Sequence, residues 1–575
     1  MLEPIDRETE TELRDLVDAD ELERHVDAFD GTERISGTDD EWEASEYVVE
    51  TLREYGCEAE LLEFEAYISV PGSARVDVTA PTAKTFDEAI TSSFGASTPP
   101  SGVSGEVVRI EDVTEENVAA ADLEGKVAFT TGLPTPEPIG LFEDAGAEAV
   151  LYQSSNPDHL HEMIVTPVWG TPTLGDEEEI PDVPVAQVTH DAGDWLRDRN
   201  EEGPVDVTVT TQVTTELTTL PCPVGRVEGT ESDRYMVVGN HVDSWYEGIT
   251  DNATAMAATL ELARVFAENP PARGLVFGFW PAHSTGRYAG STWWADQEWL
   301  DLRENGVAYY HLDLNGLKGA DGLWHQEMAE LNEEHLDILD TASDMPMLET
   351  ADAGFLGSDR PARNSDQSFW GAGLTSLLSG ARMNPGGEGG PIGGGWWWHT
   401  PADTRDKVDI DVLAEETEIA VTLASRICDS PTLPHDFRAT AADVREQVAG
   451  IESDTDSSFP AIHEDLDALE VALDEAYEAI EAVDGVGTDA AAAAEDLQVE
   501  LGNELVPALY MTRRDYDQEP ALPHQPLPEL RRAAAVEGTD RTELFAETTL
   551  AREVNRLRHR LQNAQRAADA FVEEQ

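Results

Sequence analysis

Lysine is nearly missing from this chain. Of 36 basic residues only Lys84, Lys126, Lys318 and Lys407 are lysine, and they face 118 Asp and Glu. The resulting formal charge of −82 argues against nucleic acid and anionic membrane as partners, because the field repels both. Cysteine is scarce too: Cys57, Cys222 and Cys428 are too few and too scattered for a disulfide framework or a thiolate metal site. No apolar run reaches the roughly 18 residues needed to span a bilayer. Met1-Leu2-Glu3-Pro4 carries neither a basic region nor an apolar stretch, so no signal peptide and a cytoplasmic location are expected.

What remains is enough to fold. Hydrophobic residues make up 40% of the chain and include 13 Trp, which separates it from acidic disordered sequences. The carboxylates are spread along the whole length, so they read as a solvated surface rather than an acidic tail. Repulsion at this charge destabilises a compact state in dilute buffer, whereas screening shortens to about 3 Å at molar salt. The composition therefore points to a halophilic, salt-rich cytosol. At 575 residues, about two to four domains are expected.

Ala44, Tyr47, Val48, Leu52 and Tyr55 recur at helical spacing, Gly56-Cys57 stops that helix, and Glu58 to Phe64 reads as a strand. From Pro71 to Thr215 the texture changes to short strands and Gly/Pro turns, with strands at Lys126–Phe129, Ala149–Tyr152 and Pro184–Val188 and a short helix from Gly140 to Gly146. This reads as an inserted β-rich module. From Tyr235 strands alternate with helices: strand Met236–Gly239, helix Ala255–Phe266, strand Gly274–Trp280, strand Val307–Leu314. Such alternation predicts an α/β fold, a three-layer arrangement of one sheet with helices on both faces, with ligands gathered at the carboxyl ends of the strands. Past Pro434 the chain becomes helical. Ile462, Leu466, Leu469, Leu473, Tyr477 and Ile480 form one stripe, and Val554, Leu557, Leu561, Ala564, Ala568 and Phe571 another. These predict a helical bundle with room for a homodimer contact, with Gly485–Ala494 as an interhelical loop. The domains are thus expected at 1–70 with 216–433, at 71–215 and at 434–575.

His241, Asp251, His283, Asp313 and His399 lie at or beyond these strand ends or in loops. His241, two residues before Asp243, makes a ligand and orienter pair, since a metal-bound imidazole needs its other nitrogen held. Asp251-Asn252-Ala253 precedes a helix and reads either as a cap or as a carboxylate bridging two cations. Asp313, in Tyr310-His311-Leu312-Asp313-Leu314, is a carboxylate in an apolar strand, costly unless paired or metal-bound. His311 shares its face, as a supporting residue or a spare ligand. His399 follows a glycine-rich loop and Trp396-Trp397-Trp398, which read as an apolar wall over a pocket or as a loop plugged into a core.

Together these segments resemble the di-zinc aminopeptidase, glutamate carboxypeptidase and transferrin receptor-like metallopeptidase family. The resemblance rests on Gly239–Trp245 with Asp251, on Phe279–Gly286 with Gly290–Ala295, and on His399–Thr404. Residues 71–215 resemble the protease-associated domain that many members carry, marked by Glu124-Gly125-Lys126-Val127 and Ala145-Gly146-Ala147. By that resemblance His241, Asp251 and Asp313 hold one zinc ion, Asp251 bridges to a second held also by His399, and Asp243 orients His241. A peptide or small amide is the implied substrate. Ser365-Asp366, within Arg363–Phe369, resembles a family loop near the pocket, and Arg287, Tyr288 and the tryptophans are candidate substrate contacts.

One departure decides the reading. Where the family carries two adjacent glutamates, a general base and then a zinc ligand, this chain has His283-Ser284. Serine is a poor zinc ligand. Three outcomes are open: His283 joins Asp251 and His399 at the second site, His283 takes over proton transfer, or a single ion is held by His241, Asp251 and Asp313. A metal-dependent exopeptidase of either direction is expected, with a non-catalytic receptor- or scaffold-like binding protein as the alternative.

Overall fold

The computed structural model describes residues 7–348, 360–361, 365–523, 525–536 and 540–574. Its centre is the strand sequence Gly322–Glu327, Thr375–Arg382, Gly306–His311, Tyr235–His241, Gly274–Trp280 and Asp206–Val227. Tyr235–His241 pairs in parallel with both Gly274–Trp280 and Gly306–His311, and Gly306–His311 pairs in parallel with Thr375–Arg382. The edge strand Gly322–Glu327 and the long strand Asp206–Val227 run antiparallel to their neighbours. Every residue of Tyr235–His241 and of Gly274–Trp280 is buried. That is why these strands read as continuous apolar runs: helices cover both faces.

On one face lie the helices Ala19–Ala28, Asp39–Tyr55, Thr254–Glu268 and Ile410–Asp429, sharing one core with Met236, Val238, Leu275 and Phe277. On the other lies Ala289–Asn305, where Trp280, Trp294, Tyr309 and Phe369 interlock. The expected first helix is Asp39–Tyr55, opened by a Thr38 side-chain cap and closed by Gly56 at φ 98°, a conformation that suits glycine.

Four expectations need correction. The strand after Gly56 runs from Glu58 to Ala80, far past Phe64, and pairs antiparallel with Asp206–Val227 from Glu58↔Arg226 to Ala80↔Asp206. The breaks expected at 70/71 and 215/216 therefore fall inside a continuous two-stranded ribbon. Only a shift of register between Pro71 and Ala74 marks the place, where Gly72 passes so close to Gln212 that a Cβ would come within 2.5 Å of its carbonyl oxygen. The helix expected from Gly140 begins at Pro136, a residue pre-set for the first helical position. The strand expected to reach Leu314 ends at His311, and Leu314 turns away at φ 56°. Residues 489–494, expected in a loop, open the helix Asp489–Tyr510, because Thr488 caps it and the alanines that follow are the best helix formers.

Within the insertion, Val103–Arg109, Val127–Thr131, Ala149–Gln153 and Val185–Val188 form parallel neighbours with helices Pro136–Asp144 and His190–Glu202 beside them. The C-terminal helices Phe437–Asp454, Pro460–Ile480, Asp489–Tyr510 and Asp540–Glu574 share a separate core. Both expected stripes face it, with Val554 only partly buried. Among the described residues, no helix is long and apolar enough to cross a membrane.

Candidate metal centre

All six expected site residues sit at strand ends or in loops of the parallel sheet, Asp243 two residues past His241. His241 closes its strand, Asp313 lies two residues past His311, and His283 lies three past Trp280. Asp251 is in the tight turn Ile249–Ala253 and makes no helix-cap bond, so the cap reading fails. His399 follows Trp398 at φ 56°.

Asp251 joins the two outer histidines. Its Oδ1 is 3.0 Å from His241 Nε2 and its Oδ2 3.2 Å from His399 Nε2. Asp313 Oδ1 is 3.7 Å from His241 Nε2. The far nitrogen of each histidine is spoken for. His241 Nδ1 donates to the Asp243 carbonyl at 2.8 Å, and His399 Nδ1 donates to the Glu162 carbonyl at 2.7 Å. These contacts take up Nδ1 and leave Nε2 of each ring as the nitrogen that faces Asp251. Burial disfavours a charged His241, yet the Asp251 and Asp313 carboxylates outweigh it and raise its pKa well above the ordinary value. Burial also opposes the carboxylates, but the facing histidines hold both Asp251 and Asp313 below the usual range. His241 Nε2 and Asp313 Oδ1 are buried without a hydrogen-bond partner. Lone pairs and carboxylates that converge in this way need a cation between them. The donor set of imidazole and carboxylate suits zinc.

Asp243 does something other than expected. Its carboxylate is 3.8 Å from His241 Nδ1, while its backbone carbonyl orients the ring. The carboxylate instead accepts from the His283 and Ser284 backbone amides, both at 2.9 Å, and from Ser36. Asp243 is a positioning residue, not a catalytic one.

His283 packs face to face on His241, ring centroids 3.9 Å apart, and its Nδ1 lies 2.6 Å from Asp366 Oδ2. Among the described residues its ligand atom groups with those of His241 and Asp313, and again with those of His311 and Asp366, but not with His399. The expectation that His283 completes a site with Asp251 and His399 therefore fails: the ring is held on the His241 side. Ser284 is buried and offers no carboxylate. His311 supports the group, with Nδ1 2.8 Å from Tyr309 Oη and Nε2 3.5 Å from Asp313 Oδ2.

Several functional neighbours were not assigned a role from the sequence. Asp366 is fully buried and accepts a 2.6 Å hydrogen bond from Ser291, which the Gly290-Ser291 motif signalled without explaining. Asp403 accepts from the Thr250 and Asp251 amides and fixes the turn that carries Asp251; burial pushes its carboxyl up to about 7. Glu162, from the insertion, has no local signal at all. Burial pushes it up to about 7, and Tyr246 donates to it at 2.9 Å. Of the loop Arg363–Phe369, residues 363 and 364 lie outside the described residues.

A cavity of about 460 Å³ opens over these donors, lined by His283, Arg287, Tyr288, Trp398 and Ile164 among others. Trp398 stacks on His399 at 3.7 Å and forms the wall. Trp397 is instead wedged inward, its Nε1 donating to Thr250, and Trp396 stacks on His159 of the insertion. One tryptophan of three thus lines the pocket.

With this geometry in hand, similarity to known proteins is decisive. Residues 224–424 match the model of Peptidase family M28. The matched stretch is the α/β core that carries the site, and over those residues the chain is similar to that family. The chain is 34% identical over 112 residues to "Aminopeptidase NAALADL1" of Mus musculus, covering 18% of this chain and 15% of that protein. It is 27% identical to "Probable lipoprotein aminopeptidase LpqL" of Mycobacterium tuberculosis over 52% of this chain and 60% of the relative. It is 24% identical to "Probable glutamate carboxypeptidase VP8" of Zea mays over 72% of this chain and 67% of the relative. The chain thus spans between 15% and 67% of the length of these relatives. The fold resembles an aminopeptidase from Aneurinibacillus sp. strain AM-1 (TM-score 0.53, 21% identity, 72% of this chain and 94% of that one). It also resembles a zinc aminopeptidase from Bacillus subtilis (TM-score 0.51, 18% identity, 71% and 94%). The matched residues 224–424 include His241, Asp251, His283, Asp313 and His399.

Proposed function

We propose that the protein is a metal-dependent exopeptidase that hydrolyses peptide or small amide bonds, with zinc as its ion. The observation that carries this reading is the placement of Asp251, one oxygen toward His241 and the other toward His399. A receptor-like scaffold has no use for buried lone pairs and carboxylates left facing one another.

A divalent ion held by His241, Asp251 and Asp313 would supply Lewis-acid polarisation of a carbonyl and of water. The rest belongs to the chain. Asp366 anchors His283 Nδ1, which leaves Nε2 as the nitrogen that exchanges a proton with the reacting groups, in place of the family's glutamate. Asp243 holds the His283-Ser284 backbone at its place. Trp398 and Tyr288 shield the cavity from bulk water.

The reading extends to the remaining parts. The insertion is proposed as a protease-associated domain whose Glu162 carbonyl sets the His399 tautomer. The acidic surface supports a salt-rich cytoplasm. The bundle, with Leu544 and Phe545 more than half exposed on its last helix, is the proposed homodimer contact.

The test is metal content after purification in high salt, followed by turnover of aminoacyl and dipeptide substrates before and after chelation. Chelator-sensitive hydrolysis restored by zinc is expected. A fully folded protein that binds no metal and cleaves nothing would overturn the proposal.

A further inference from the structure

Arg287 stands out in the cavity wall. In a chain with 118 acidic side chains, arginines are readily paired, and the buried ones are held by carboxylates or by backbone carbonyls. Arg273 holds Glu495, and Arg426 holds Glu10. Arg382, the other arginine of the cavity, is spent on carbonyls, donating to Leu314, Ala381 and Asp313. Arg287 is different. Among the described residues its guanidinium has no carboxylate partner, and its buried Nε has no hydrogen-bond acceptor. Its only contact of note is the Tyr288 ring, 5.2 Å from the guanidinium carbon.

The chain goes to some length to keep it there. Arg287 and Tyr288 are consecutive non-glycine residues in the left-handed region, at φ 48° and 70°, a conformation that costs roughly 1–2 kcal/mol per residue. Gly170 of the insertion donates to the Arg287 carbonyl at 2.7 Å, and Trp169 packs on Tyr288 with ring centroids 4.2 Å apart. Tyr288 also meets His283 edge-on, ring centroids 4.7 Å apart. Tyr288 thus neighbours both the guanidinium and the proposed proton-transfer residue. Such a group, half-buried and unpaired, matches a carboxylate through two parallel hydrogen bonds. The one wall carboxylate outside the donor set, Glu137, is exposed at the rim.

We infer that Arg287 is the specificity residue of this site, and that the substrate carries a carboxylate next to the bond that is cleaved. The inference rests on the proposed hydrolase reading. It favours release of a residue bearing a carboxylate over removal of a residue with a free amine. That carboxylate has two sources, a free C-terminus or an acidic side chain, which share one chemistry at Arg287.

The test uses the full chain in high salt with zinc. Four probes are compared: N-acetyl-Ala-Ala, N-acetyl-Ala-Ala amide, N-acetyl-Ala-Glu amide and Ala-Ala amide with a free amine. Hydrolysis and calorimetric binding are both measured, for the unaltered protein and for Arg287→Gln and Arg287→Lys, with unfolding curves and metal content as controls of fold. The expected result is use of N-acetyl-Ala-Ala if the C-terminus is read, or of N-acetyl-Ala-Glu amide if the side chain is. In Arg287→Gln, KM and Kd for that probe rise roughly ten- to hundredfold with kcat little changed, and Arg287→Lys recovers only part. Preference for Ala-Ala amide, or carboxylate binding unaffected by Arg287→Gln, overturns the inference while leaving a hydrolase. Arg287-dependent carboxylate binding with no hydrolysis of any probe keeps Arg287 as a carboxylate-binding residue but removes the hydrolase reading, and overturns its role in cleavage specificity.

Discussion

Asp366 and His283 are joined by a 2.6 Å contact between Oδ2 and Nδ1, from a buried carboxylate to the histidine proposed for proton transfer. The second oxygen of Asp366 accepts from Ser291, so the carboxylate is held from both sides. A carboxylate paired with imidazole in this way fixes the tautomer and supports a transient positive charge on the ring.

Asp366→Asn should therefore lower kcat by about 10²–10⁴-fold with metal content unchanged. Added to His283→Ala it should cost little more, because the two residues act as a unit. Additive losses in the double variant would show that they do not.

The second half of the proposed metal site has two candidate donors, Asp251 and His399, and Ser284 where the resemblance implies a third. Purified protein should retain about one tightly bound zinc per chain, since structural and catalytic sites need three or four protein ligands. Ser284→Glu should raise the content toward two, read by elemental analysis. Two ions in the unaltered protein would require a donor that this account does not contain.

Arg273 and Glu495 tie the peptidase core to the helical bundle through a 2.5 Å ion pair in which both side chains are buried. Glu495→Ala leaves a buried guanidinium without its charge partner and should cost about 3–5 kcal/mol in denaturant unfolding. Replacing both, as Arg273→Met with Glu495→Leu, should cost clearly less. Equal losses would mean that packing, not charge, dominates there.

Burial pulls the pKa of His435 from 6.5 down to about 3, opposed by its hydrogen bond to the Val307 carbonyl. The folded protein thus refuses a proton that the unfolded chain accepts below its ordinary pKa of 6.5. Stability from this residue is full above that pH and is lost on acidification toward 3, by up to about 1.4 kcal/mol per pH unit. His435→Gln keeps a donor for Val307 and removes the titration. Its stability should fall less steeply between about pH 6.5 and 5, and an unchanged slope would refute the assignment.

At a formal charge of −82 the melting temperature should climb steadily with potassium chloride into the molar range and fall on dialysis. A protein equally stable in dilute buffer would contradict the salt-adapted reading.

Much of this was legible in one dimension. Continuous apolar strands at Tyr235–His241 and Gly274–Trp280 reveal a sheet buried on both sides, and the stripe from Ile462 to Ile480 reveals a bundle. Periodicity and end signals are local, so they survive without a structure. The reach of the Glu58–Ala80 strand did not show, because its pairing partner lies more than a hundred residues away across the insertion.

The sequence by itself pointed to His241, Asp251, Asp313 and His399 as donors, and to His283-Ser284 as the departure from the family it resembles. Ligand chemistry follows from residue type, and order along the chain is enough to recognise it. Only the tertiary structure decided what those residues do. It turned Asp243 from an orienting carboxylate into a clamp on the His283 backbone, and it held His283 on the His241 side by pairing it with Asp366. It also brought Glu162 and Gly170 from the insertion to set His399 and Arg287. The role of an imidazole depends on which of its two nitrogens is already taken, and the groups that take them come from chain segments that meet only when the domains fold together.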